Sequence, residues 1–172
     1  DTPLGRIELD REVLERLRAL PFVESSDQAH AQEHSLEVHL PFLQSVLGVF
    51  RLVPVVVGDA SAAEMASLFE TAWGGEETLV VVSSDLSHYL PYASAREKDR
   101  ETARRIVALA PGVEPDEACG AAPVNGLLEF ARRRGMQAEL LDLRSSGDTA
   151  GGRGQVVGYG AFAFREGEAG HA

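Results

Sequence analysis

The sequence predicts a three-layer α/β/α domain built on a mixed central sheet. Three observations predict it. Residues 79–82 (LVVV) and 50–57 (FRLVPVVV) are apolar, largely β-branched runs without alternation, the pattern of strands covered on both faces. The stretches around them carry apolar residues at helical spacing. Strands and helices therefore alternate along the chain.

In order, residues 6–9 read as a short edge strand. Asp10 caps the helix that follows; its Val13, Leu14, Leu17 and Leu20 share a face, and Pro21 stops it. Residues 23–32 are polar and read as a loop. Residues 32–47 (QEHSLEVHLPFLQSVL) read as one helix, because Leu36, Leu40, Leu43 and Leu47 recur at helical spacing. Pro41 inside it leaves the Glu37 carbonyl without its usual donor and predicts a kink. Glu33, Glu37 and Gln44 fall on one flank of that stripe, and His39 borders the other. His34 and His39, five apart, point to different sides. Pro54 places the strand at 50–57 on an edge or at a bulge.

Ser61 and Glu64 form a capping box for a helix that buries Met65, Leu68, Phe69 and Ala72 and stops at Gly74-Gly75. After the strand at 79–84, Pro91-Tyr92 marks a turn, and Ser94 with Glu97 forms a second capping-box pattern. The helix there opens with a solvated charged stretch, residues 96–101, then buries Ala103, Ile106, Val107 and Ala110 and ends at Pro111-Gly112. Pro123 suits the first turn of the next helix, whose inner face carries Val124, Leu127, Leu128 and Ala131 and which Gly135 ends. Residues 138–143 and 155–165 are strands. Gly158 and Gly160 mark a bulge or a tight packing approach in the second. Residues 145–154 (SSGDTAGGRG) between them read as a flexible polar loop without the spacing or lysine of a P-loop. Residues 166–172 read as a frayed tail. No repeat or linker divides residues 1–172, which form a single domain.

At 44% hydrophobic residues the chain is globular rather than disordered. Sixteen basic against 27 acidic residues give a net charge of −11, which argues against nucleic acid and anionic membrane as partners. One cysteine excludes an internal disulfide framework and fits a reducing, cytoplasmic compartment. No run of about 18 apolar residues is present to span a membrane, and no signal peptide is visible. The chain begins at Asp1, the start expected of a fragment or a trimmed sequence.

Residues 78–89 (TLVVVSSDLSHY) draw functional interest. Open α/β sheets place ligands beyond the carboxyl ends of their strands, so Asp85 and His88 are candidate site residues. The residues alone leave a second reading open, in which Ser84 and Asp85 cap the next turn and His88 is a satisfied histidine. Cys119 lies just before a helix N-terminus, where free amides favour a thiolate. Taken alone it reads first as a small buried hydrophobe; Gly120 beside it allows close backbone approach.

Together the motifs carry a resemblance. EHSLEVHLPFLQ at 33–44, SSDLSHY at 83–89, ACG at 118–120, and SSGD with VVGYGAF within 145–162 resemble the Memo family, whose bacterial and archaeal members are called AmmeMemoRadiSam system protein B. The resemblance implies a fold like the LigB-type class III extradiol dioxygenases, which are non-haem iron enzymes. It implies a pocket around iron or copper held by two N-terminal histidines and a cysteine. Cys119 matches that cysteine, Asp85 and His88 match the pocket's aspartate and histidine, and His88 corresponds in position to the dioxygenase base. Glu33, His34, Glu37 and His39 are expected to support the pocket without ligating the metal. The SPHAGY-like and GPNH-like segments of the family's two histidines are absent here. The chain thus looks like the C-terminal part of a Memo protein, with its metal expected in the complete protein.

Two function classes follow. One is a metal-dependent redox enzyme, dioxygenase-like, with Cys119 as a thiolate metal ligand, His88 as a general base or proton shuttle, and Asp85 as a metal ligand or the catalytic orienter of bound water. The other is a non-catalytic module that binds a peptide or small ligand in the same pocket. The family name adds AMMECR-type and radical SAM proteins as expected partners. A serine hydrolase using Ser83 or Ser84 fails for want of a nucleophile elbow.

Overall fold

The computed structural model describes residues 2–149 and 151–167. Of the expected tail, residues 168–172 lie outside them, while Glu166 closes a strand and pairs with Arg134. The chain is an α/β protein. Its first strand, β1 (Glu8–Leu9), runs parallel to β2 (Arg51–Leu52). Between them come α1 (Arg11–Arg18), α2 (Asp27–Ala31) and α3 (Leu40–Leu47), and after them α4 (Ala62–Ala72). Then follow β3 (His88–Leu90), α5 (Tyr92–Val107), α6 (Ala121–Arg133), β4 (Met136–Ser145), α7 (Ser146–Thr149) and β5 (Val156–Glu166). The last three strands form an antiparallel sheet with β5 in the middle, in the order β3-β5-β4. Among the described residues no helix is long and apolar enough to cross a membrane.

Helices whose ends are written locally form as expected. The Asp10 carboxylate accepts the Val13 N–H at 3.1 Å and opens α1. Ser61 and Glu64 make both bonds of the capping box on α4. Gly135, at φ +64°, closes α6 in the left-handed conformation a side chain would strain.

Six expectations are corrected. Residues 32–47 are not one kinked helix. Glu33 accepts the N–H groups of His34 and Ser35 at 2.7 Å each, which holds a separate turn, and α3 begins only at Leu40. Pro41 therefore sits in a first turn, where its missing N–H costs nothing. Residues 23–32 contain α2, capped by Ser26, and residues 145–154 contain α7. Ser94 and Glu97 do not cap α5, because Pro91 precedes its first residue, Tyr92. The strand at 50–57 shortens to β2. Residues 79–84 pair with no strand among the described residues, and Leu79 (61%) and Val81 (47%) are exposed. Only Val80 and Val82 pack inward, so this run is covered on one face.

The core has two parts joined by α6. One gathers Leu17, Met65, Phe69, Phe130 and Met136 between α1, α4 and α6. The other gathers Leu86, Ile106, Val113, Ala121 and Leu128 between α5, α6 and the segment preceding β3. Gly126 lets α4 and α6 touch: a Cβ there would stand 2.2 Å from the Met65 Cβ. The second core part carries the weight of the site, since Leu86 lies between Asp85 and His88.

Candidate metal centre

Two stretches distant in sequence meet here. Gly120 permits it, because a Cβ on it would stand 2.8 Å from the Ser84 Cβ and 3.0 Å from the Ser83 carbonyl. The Cys119 N–H donates to the Asp85 carbonyl at 3.2 Å, and the Asp85 N–H donates to Cys119 Sγ at 3.2 Å. Gly120 N–H donates to Ser84 Oγ at 2.9 Å, and that hydroxyl donates to the Asp85 carbonyl at 2.7 Å. One backbone bond and three bonds through the Cys119 sulfur and the Ser84 hydroxyl thus lock residues 84–85 against 119–120.

From the other side, β5 and α5 hold the segment. The Leu86 N–H donates to the Gly158 carbonyl at 2.9 Å, and the Gly158 N–H donates to the Ser87 carbonyl at 2.8 Å. The Ser87 N–H donates to Asp99 Oδ1 at 3.0 Å in a buried bond. A Cβ on Gly158 would fall 2.0 Å from Asp99 Oδ2, so the glycine makes room for the carboxylate. Of the two sequence readings of Gly158, the tight approach is the one observed; the register shifts lie between Leu140 and Asp142 and between His88 and Leu90.

The result is a cluster of three donors. Oxygen of Asp85, nitrogen of His88 and sulfur of Cys119 all lie within 4.8 Å of one another. His88 Nε2 stands 3.5 Å from Asp85 Oδ2. Cys119 is exposed, which overturns its reading as a buried hydrophobe: the thiol faces outward because its backbone is spent on Asp85. His88 opens β3 instead of following a strand's carboxyl end. An oxygen, an imidazole nitrogen and a thiol sulfur within this reach suit iron or copper by donor type.

The other candidates divide. His39 reaches the segment, with Nε2 2.9 Å from Ser83 Oγ. Glu33 and His34 make their contacts within their own turn, 3.8 Å apart, and the two amides of that turn hold the Glu33 carboxyl below its usual range. Glu37 is exposed.

Asp99 was hidden in the charged run 96–101. Its signal was spacing: Asp99, Thr102, Ala103 and Ile106 recur at i, i+3, i+4 and i+7, and all four are buried. Burial pushes the Asp99 carboxyl above its ordinary range, opposed by the Ser87 amide and hydroxyl and by the charges of Lys98 and His88. A carboxyl whose folded pKa is raised gives its full stability below the ordinary carboxylate range and loses it as pH climbs through the raised value. Asp99→Asn keeps the acceptor without the charge. Melting temperatures of both proteins, taken from about pH 3 to about pH 7, should diverge in favour of the variant as pH rises. A difference independent of pH would contradict this.

Comparison with known proteins follows the same lines. The family described as Memo-like protein matches residues 1–163. A MEMO1 family protein of Methanopyrus kandleri is 38% identical, over 96% of this chain and 64% of its own length. One of Ignicoccus hospitalis is 41% identical over 95% and 63%, and one of Aquifex aeolicus 32% identical over 95% and 66%. This chain spans just under two thirds of the length of each of these relatives.

Proposed function

Since the chain belongs to the Memo family, we propose that Asp85, His88 and Cys119 are its share of a transition-metal site with a redox role. The observation that supports this is the reach of the three donors, all within 4.8 Å of one another. Cys119 and Asp85 would ligate iron or copper. Further donors are expected from histidines outside these residues, so these residues alone hold metal weakly. A bound metal supplies redox and Lewis-acid chemistry.

The chain's own groups do the rest. The Asp85 N–H donates to Cys119 Sγ and fixes where the sulfur stands. His88, with Asp85 3.5 Å from its Nε2, is placed to take a proton from a bound substrate and share it with the carboxylate. His39, through Ser83, supports the backbone that carries Asp85. Glu33 holds the turn of His34 and Ser35 that leads to His39. A cytoplasmic setting suits an exposed thiol that must stay reduced. AMMECR-type and radical SAM proteins are the partners this reading expects.

A second reading, ligand or peptide binding without turnover, draws on exposure. The Asp85 side chain is 47% exposed and Cys119 faces solvent, whereas metal-centred redox steps work best with water excluded. Oxygen uptake by iron-loaded protein decides between them. Under the first reading Cys119→Ala loses metal, while His88→Ala keeps metal and loses at least about a hundredfold in turnover. Stoichiometric ligand binding with no oxygen uptake in the unaltered protein would leave only the second.

A further inference from the structure

Asp99 is the single charged side chain buried among the described residues, at 3% exposure. Nothing in helix packing calls for a carboxylate in the middle of α5. Two features show what it faces. Its Oδ1 accepts the Ser87 N–H, and its Oδ2 lies where a side chain on β5 would be, had residue 158 one. Ser87 stands between Leu86 and His88, and Gly158, beside the same carboxylate, accepts the Leu86 N–H and donates its own N–H to the Ser87 carbonyl. The segment bearing Asp85 and His88 is therefore held jointly by a glycine of β5 and by the α5 carboxylate packed against that glycine.

We propose that Asp99 is a positioning residue of the metal site: by holding the Ser87 amide it fixes the backbone between Asp85 and His88, and so the distance between their side chains and Cys119. This rests on the metal-site reading above. It adds a group that touches no ligand atom. The acceptor oxygen is what matters, so Asp99→Asn preserves the function and Asp99→Ala removes it. Cys119 is included because its N–H and its sulfur are both bonded to Asp85.

Amide hydrogen exchange tests it without metal. In Asp99→Ala, exchange at Leu86, Ser87 and Cys119 should accelerate at least about tenfold, while amides of the β4–β5 ladder keep their rates. Asp99→Asn should restore the slow rates. A role in general stability would instead move all protected amides together, and that result, or unchanged rates at Leu86 and Cys119, would overturn the proposal. If Asp99→Ala does not fold, the unaltered protein still decides: Ser87 must exchange as slowly as the ladder, and free exchange there removes the tie. Cobalt(II) titration followed by the thiolate-to-metal absorption band gives the second arm. Half-saturation should rise about tenfold in Asp99→Ala and stay within about threefold in Asp99→Asn. No band in the unaltered protein supplied with the expected further histidines would sink the metal reading, and the exchange rates would still decide for or against the tie.

Discussion

Phe130→Ala is expected to cost about 3–5 kcal/mol of folding stability, roughly a fifth or more of what a domain typically has. The ring is 1% exposed and meets Phe69 edge-on at 6.0 Å and Trp73 at 5.6 Å between centroids. The Arg134 guanidinium lies over it at 5.6 Å and over Trp73 at 5.0 Å, tying the end of α6 to the end of α4. Truncation removes the ring contacts and opens a void between rigid helices, which cannot close around it. Urea unfolding should show a lower midpoint with the slope kept. A loss below about 1 kcal/mol would mean that α4 and α6 can move together, against the close contact at Gly126.

Gly126→Ala should destabilise by about 1–3 kcal/mol, although the same change in an isolated helix stabilises by about 1 kcal/mol. The two effects oppose, and packing wins. The new Cβ would lie 2.2 Å from the Met65 Cβ and 3.2 Å from Met65 backbone atoms, none of which can swing aside. The helices must part, and Phe69 and Phe130 part with them. A peptide of residues 121–133 should gain helicity from the substitution while the folded protein loses stability. A stabilised protein would show that the helices are not in contact there.

What the sequence disclosed follows the range of the forces. Helices with a one-sided apolar stripe and marked ends were legible, because Asp10, the Ser61–Glu64 pair and Gly135 act within a turn. The runs at 50–57 and 79–84 were misjudged because apolar composition reports burial but not a strand partner. Pro41 was misjudged because its effect depends on whether it falls in a first turn or an interior, and Glu33 settles that from outside the helix. For the site, Asp85, His88 and Cys119 could be named from pattern and resemblance. That they meet depends on the Cβ missing from Gly120, and Asp99 was masked because its partner space lies on β5, far along the chain.

The two hydrogen bonds between Gly158 and residues Leu86 and Ser87 also set an order of events while the chain is made. Asp85 and His88 leave the ribosome about 70 residues before the glycine that braces them. At roughly 5–20 residues per second, the growing chain carries this loop unbraced for several seconds, with Cys119 emerging midway. The pair Asp85–Cys119 can close first, by its backbone bond and the Asp85 N–H bond to sulfur, and the arrival of β5 then completes it. A nascent chain stalled before residue 156 should hold the Asp85 backbone against Cys119 and the Ser87 amide against Asp99, and lack only the two bonds from Gly158.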